Sequence, residues 1–233
     1  MIELNDLSKT YPGRTEHVQA LNNISLNIRP GEIVSIMGQS GSGKSTLLNI
    51  LGCLDTQTSG TYQLDGKLVD TTSEAHLARI RNQHVGFVFQ NPNLLANMTV
   101  LDNVLLPLRY GKTGNESTSK AFSVLETLRL RHRSSYYPRQ LLAVEQQQIS
   151  VARALVNQPS VLLADEPTGN LDSISGKVIL GTLQQLNEEM GITILIATHD
   201  QEVAVCTRRV INIRDGALVS DKIVIQTRLE RSH

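Results

Sequence analysis

The run Gly38-Gln39-Ser40-Gly41-Ser42-Gly43-Lys44-Ser45-Thr46 constrains this chain more than any other stretch. It fits the spacing G-x-x-x-x-G-K-[ST], follows the short apolar run EIVSIM (32–37) and leads into the apolar TLLNILGCL (46–54). Strand, glycine-rich loop and helix in that order make a cradle for an anion. Gly38, Gly41 and Gly43 let backbone N–H groups curl around a phosphate without Cβ interference. A helix starting near Lys44 adds the positive end of its dipole. Lys44 is expected on the β- and γ-phosphates and the Ser45 hydroxyl on Mg²⁺, so the ligands read from the loop are ATP and Mg²⁺.

Three more short apolar runs read as buried strands: VGFVFQ (85–90), VLLADE (161–166) and ITILIATH (192–199). GKVILGTLQQLNEEM (176–190) places Val178, Ile179, Leu183 and Leu186 on one helical face, with Gly191 as its C-terminal cap. Strands alternating with helices predict a mainly parallel sheet. The first thirty residues alternate more and are joined by PGRTE, which suggests antiparallel strands. The stretch 91–156 is helix-biased and breaks the strand rhythm, with GKTGNESTS (111–119) of loop composition.

At 233 residues with 40% apolar content, the chain suits one α/β domain. Residues 1–90 and 157–233 are read as its nucleotide-binding core, and 91–156 as an inserted helical subdomain.

Asp165 and Glu166 close an apolar strand, and in open α/β sheets ligands sit at the carboxyl ends of strands. Asp165 is expected to hold Mg²⁺, and Glu166 to orient or deprotonate an attacking water. His199 closes another strand, where it can meet the γ-phosphate or that water. The remaining histidines (17, 76, 84, 132, 233) lack metal spacing, and Cys53 and Cys206 stand alone.

Lys+Arg and Asp+Glu balance at 22 each, so no overall charge draws the chain to nucleic acid. LRLRHRSSYYPRQ (129–140) is locally basic and is read as a solvated helical face, since no recognition motif accompanies it. The polar N-terminus argues against a signal peptide. No apolar run approaches the ~18–20 residues of a spanning helix.

Taken together, the residues resemble the ATP-binding cassette (ABC) ATPases over nearly the whole chain. The resemblance rests on Tyr11, the phosphate loop, Gln90 ending FVFQ, ADEPTGNLD at 164–172 and ATHD around His199. It looks most like the branch serving macrolide, peptide and lipoprotein exporters. The resemblance implies a P-loop fold with an N-terminal antiparallel β subdomain and an inserted helical subdomain carrying the signature. It implies Tyr11 stacked on adenine, Gln90 on Mg²⁺ and the attacking water, and Asp172 in communication across a dimer.

It further implies two partners. One is a second cassette, in a homodimer or heterodimer, pairing head to tail around two ATP molecules. The other is an integral membrane permease docked on 91–109 at the cytoplasmic face of the inner membrane. The signature departs from the family's Leu-Ser-Gly-Gly-Glu/Gln: here it reads Leu141-Leu142-Ala143-Val144-Glu145. Leu142 can neither cap the next helix nor bond a phosphate, and losing a cap costs ~1 kcal/mol. Ala143 and Val144 put side chains where glycines allow close approach. Two readings therefore stand: an ATPase driving transport, or an ATP-binding cassette of weak turnover.

Overall fold

The computed structural model describes residues 1–13, 16–111 and 116–229. Two sheets organise it. β1 (Ile2–Tyr11) and β2 (Val18–Ile28) pair antiparallel, as their alternation predicts, and β4 (Ser59–Leu64) with the two-residue β5 (Lys67–Leu68) completes a four-stranded sheet in the order β2-β1-β4-β5. The second sheet contains β3 (Ile33–Met37), β6 (Val85–Phe89), β7 (Val161–Asp165) and β8 (Thr193–Thr198), the four runs read as buried strands. It adds β9 (Arg209–Arg214) and β10 (Ala217–Ile223), in the order β10-β9-β3-β8-β7-β6, and only β10 runs antiparallel.

The parity of the strand residues divides the core. Val34, Ile36, Leu163, Leu195 and Ala197 face a cluster built with β1, β2, β4 and the helix α1 (Lys44–Leu51). Ile33, Leu162, Ala164, Ile194 and Ile196 face the other cluster, together with the helical residues. Side chains alternate across a strand with period two, so an apolar run of five residues is needed to bury both faces. That is why these strands read as unbroken hydrophobic runs.

Between β6 and β7 lie α3 (Val100–Leu105), α4 (Ser117–Thr127) and α5 (Ala143–Leu155). Thr99 and Asp102 form a reciprocal capping box at the start of α3, which satisfies two otherwise orphaned amides. The loop expected at 111–119 is split: 112–115 lie outside the described residues, and α4 already begins at Ser117. Arg14 and Thr15 of the PGRTE turn also lie outside them.

The basic stretch 129–140 is not a helical face. It forms two short 3-10 turns, Arg131–Arg133 and Pro138–Gln140, around buried Leu130 and Pro138. Two of its charges pair within the chain: Arg131 with Glu126, and Arg133, whose Nε lies 2.9 Å from Glu145 Oε1. Pro138 fixes its own φ and removes an amide, so no helix runs through it and it opens the second turn instead.

α2 (Glu74–His84) precedes β6, α6 (Ser173–Met190) joins β7 to β8, and the short α7 (Gln201–Ala204) follows β8. Gly191 closes α6 at φ 65. Ile179, Leu183 and Leu186 are buried as expected, but the face is completed by Leu180, while Val178 is only half-buried.

Candidate active site

The phosphate loop turns back from the end of β3 into α1. Lys44 is 6% exposed, and its Nζ donates to Gly38 O at 2.7 Å and Gln39 O at 2.9 Å, folding the ammonium over the loop. The loop is braced from outside. Gly43 sits at φ 106, and a Cβ there would lie 2.5 Å from Ala20 O on β2. Gly216, in the β9–β10 turn, donates to Ser42 O at 3.0 Å and accepts from Asn22 N at 2.8 Å. Ser42 is buried, while Gly41 beside it is exposed. A cleft of about 800 Å³ opens along Gln39, Ser40, Gly41, Gly43, Lys44, Ser45 and Thr46. Val18, Gln19 and Ala20 of β2 form one wall; Gln90, Glu166 and His199 close the other side.

β7 delivers Asp165 to a smaller cavity that shares Ser45, Gln90 and Glu166 with this cleft. Burial raises the Asp165 carboxyl above its ordinary range and the neighbouring Glu166 adds to it, while the Ser45 hydroxyl and the Lys44 ammonium pull the other way. Its Oδ1 is buried with no hydrogen-bond partner. Such an orphaned oxygen is uncommon in a folded chain and marks a place for a missing ion or water. Ser45, Gln90 and Asp165 line one small cavity together, and their hydroxyl, amide and carboxylate oxygens are hard donors suited to Mg²⁺. The described residues contain no cluster of three or more His, Cys, Asp or Glu side chains able to hold a metal. This donor set therefore fits an ion shared with phosphate and water rather than a protein cage.

Glu166 occupies the left-handed region at φ 47, and its amide is tied to Ala197 O at 2.9 Å. Such a conformation in a non-glycine residue costs about 1–3 kcal/mol and tends to accompany functional sites. Its carboxylate is held on both oxygens. Oε1 accepts from the His199 amide at 3.1 Å and from His199 Nδ1 at 2.7 Å; Oε2 accepts from Thr198 Oγ1 at 3.2 Å. An ionised carboxylate only accepts, so Nδ1 carries the proton and the imidazole presents Nε2. The His199 side chain is 69% exposed against 19% for Glu166, so the histidine forms the outer lip.

Gln90 lies just beyond β6, and neighbouring groups fix its position. Its Nε2 donates to Asn170 Oδ1 at 3.2 Å, and Asn170 Nδ2 returns bonds to Gln90 O at 3.3 Å and Asn91 Oδ1 at 2.7 Å. From α5, buried Gln147 donates to Phe89 O at 2.9 Å, and Arg153 donates to Pro92 O and Asn93 O at 2.7 Å each. Asn170, Gln147 and Arg153 were not singled out from sequence. Asn170 could have been, since it lies inside ADEPTGNLD; nothing local marks the other two.

Two expected site residues and one segment are not among the residues lining the cleft. Tyr11 is not among the residues lining it, although it pairs directly with Val18, and its hydroxyl donates to Asp55 Oδ2 at 2.6 Å. Asp172 caps α6, accepting from the amides of Ile174 and Ser175 at 3.0 Å each. The segment Leu141-Leu142-Ala143-Val144-Glu145 opens α5. Leu141 is buried and Val144 packs on the core, whereas Leu142 is 68% exposed. Leu142 occupies the N-cap position and has no polar side-chain atom with which to cap. Glu145 supplies only the return half, accepting from the Leu142 amide at 2.9 Å.

A family model described as ABC transporter matches residues 21–169. This chain belongs to that family. It is an ATP-binding cassette of the ATPase type, and its relatives agree. It is 48% identical over 222 residues to the macrolide export ATP-binding/permease protein MacB of Syntrophobacter fumaroxidans, covering 94% of this chain and 31% of the relative. It is 47% identical over 227 residues to MacB of Escherichia coli K12, covering 97% and 35%. The cassette thus spans about a third of the curated relatives it matches. Among solved structures, a dimeric ATP-binding cassette in a post-hydrolysis state bound to ADP and Pi superposes with a TM-score of 0.86 at 41% identity, covering 97% of this chain and all of that one. No helix among the described residues is long and apolar enough to cross a membrane.

Proposed function

We propose that this cassette binds MgATP and hydrolyses it to drive export through an integral membrane permease, on the cytoplasmic side of the membrane. The observation that carries this is the convergence of Lys44, Ser45, Asp165, Glu166, His199 and Gln90 on one region at the carboxyl ends of β3, β6, β7 and β8. Bound Mg²⁺ would neutralise phosphate charge, with Ser45, Gln90 and Asp165 as its protein donors. Tethering of Gln90 Nε2 by Asn170 leaves the amide oxygen for that purpose. The Glu166 carboxylate, oriented by Thr198 and His199, takes a proton from the attacking water, while Lys44 binds the phosphates and His199 Nε2 meets the γ-phosphate or the water. Tyr11 stacks on the adenine.

Residues 1–90 and 157–233 act as the nucleotide-binding core, and 91–156 as the helical unit that presents 141–145 to a second cassette, with Asp172 taking part in communication between the two. The permease docks on 91–109 and on the adjoining groove of about 440 Å³, walled by Phe87, Phe89, Leu106 and Tyr110. The relatives are named for macrolide export, which supports an amphiphilic cargo; a peptide or lipoprotein cargo rests on the sequence resemblance alone. No nucleic-acid partner is expected, because Lys+Arg and Asp+Glu balance at 22 each and no recognition motif accompanies the basic stretch.

The test is MgATP turnover by the cassette with its permease in lipid. Glu166→Gln should lower it by about 10²–10⁴-fold, the usual worth of a general base. No turnover by the unmodified complex refutes the proposal.

A further inference from the structure

Tyr11 ends β1 beside the cleft wall: its backbone pairs with Val18, and its hydroxyl approaches Thr46 of the phosphate loop. The ring is held by residues that the nucleotide site does not otherwise use. Tyr11 Oη donates to Asp55 Oδ2 at 2.6 Å. Asp55 lies just after α1, and its Oδ1 accepts from Lys9 Nζ at 2.5 Å and from the Thr56 amide at 2.7 Å. Lys9 is 9% exposed, bonds Thr56 O at 2.6 Å, and holds its ammonium 4.8 Å from the Tyr11 ring centroid. A cation over one face of a phenol is favourable. With the hydroxyl tethered as well, a planar ligand that stacks on this ring has to use the face opposite Lys9.

We propose that Lys9 and Asp55 are positioning residues that lock Tyr11 as a rigid platform for the nucleotide base, and thereby set how much the base adds to binding by the phosphates. The inference rests on the reading of Tyr11 as the adenine-stacking residue. Protonation is consistent with it. Burial raises the Asp55 carboxyl, but the bonds from Lys9 and Tyr11 outweigh burial and hold it below its ordinary value. Burial and Asp55 together raise the Tyr11 phenol, which keeps it the donor. A platform ordered in advance avoids the cost of immobilising a side chain on binding, which is about 2- to 12-fold in affinity.

The experiment is calorimetric titration of the cassette with MgADP and with magnesium pyrophosphate, read as the ratio of the two affinities. Neither ligand is consumed by ATP hydrolysis, and the ratio isolates the nucleoside from the phosphates. Tyr11→Ala should lower the ratio by about 5- to 150-fold, the range for loss of one base–aromatic stack. Tyr11→Phe and Asp55→Ala should each lower it by about 2- to 12-fold with pyrophosphate affinity unchanged. The double variant should fall no further than Asp55→Ala alone, because both remove one interaction.

If Tyr11→Ala leaves the ratio unchanged, the stacking reading itself fails. If Tyr11→Ala lowers it while Tyr11→Phe and Asp55→Ala do not, stacking stands and the platform is overturned. Equal loss of both ligands in Asp55→Ala would show a merely structural role and also overturns it. Tyr11→Phe leaves the Lys9–Asp55 pair intact and decides the matter should Asp55→Ala not fold.

Discussion

Gly216 turns the β9–β10 hairpin at φ 74 while its amide holds the phosphate loop at Ser42 O. A Cβ there would lie 2.8 Å from Ala20 O, 3.0 Å from Ala20 C and 3.1 Å from Leu21 Cα, all backbone atoms that cannot swing aside. Gly216→Ala therefore combines two penalties. The left-handed conformation costs an L-residue ~1–2 kcal/mol, and forcing an extra carbon into packed backbone costs about 1–3 kcal/mol. The sum is about 2–5 kcal/mol, and in a domain of this size each kcal/mol lowers Tm by roughly 2–4 °C.

Gly66 is the internal control. It has nearly the same φ, 73, but a Cβ there meets nothing within 4 Å, so Gly66→Ala bears only the conformational ~1–2 kcal/mol. Thermal melts of the two variants measure the steric part by difference, and MgADP titrations ask whether the brace reaches the site. Gly216→Ala should melt lower than Gly66→Ala and alone lose MgADP affinity. Melting points within ~2 °C of each other, with equal affinity, would refute the claim that the hairpin supports the phosphate loop.

Asp165→Asn should stabilise the fold while weakening Mg²⁺-dependent nucleotide binding. With its folded-state pKa raised by burial above the ordinary carboxyl value, native Asp165 favours folding most below that ordinary value and loses the benefit as pH rises through the folded pKa. The Tm advantage of Asp165→Asn should thus grow from pH 4 towards 7; an advantage that shrinks would overturn this assignment. Leu142→Ser restores a side-chain cap to α5 and should add about 0.5–2 kcal/mol by chemical denaturation. If MgATP turnover with the permease is unchanged as well, Leu142 is not what limits activity. Gly169→Ala would place a Cβ 2.7 Å from Gln90 Nε2, so turnover should fall with little change in Tm; unaltered turnover would show that Gln90 adjusts freely.

Much of the nucleotide site was legible because its determinants are local. The glycine spacing of 38–45 sets a backbone path, and an apolar run ending in Asp165-Glu166 or at His199 marks a strand end wherever it occurs. The strands β4, β5, β9 and β10 were not read, because β5 is two residues long and β10 is largely exposed at the sheet edge, leaving no continuous apolar run. The helical reading of 129–140 failed because Pro138 and buried Leu130 serve packing between turns rather than a repeating face.

The sequence by itself thus determined which chemistry the chain carries: a phosphate loop, a carboxylate pair and a histidine, each at the end of its own strand. Only the tertiary structure decided how those groups are held. Gly216 and Ala20 against the loop, Asn170 and Gln147 around Gln90, and Lys9 with Asp55 around Tyr11 are each far from their partners in sequence. Their geometry is set by the packing of two sheets and of α5 around a shared core, and no local pattern encodes which distant backbone atom a side chain will meet.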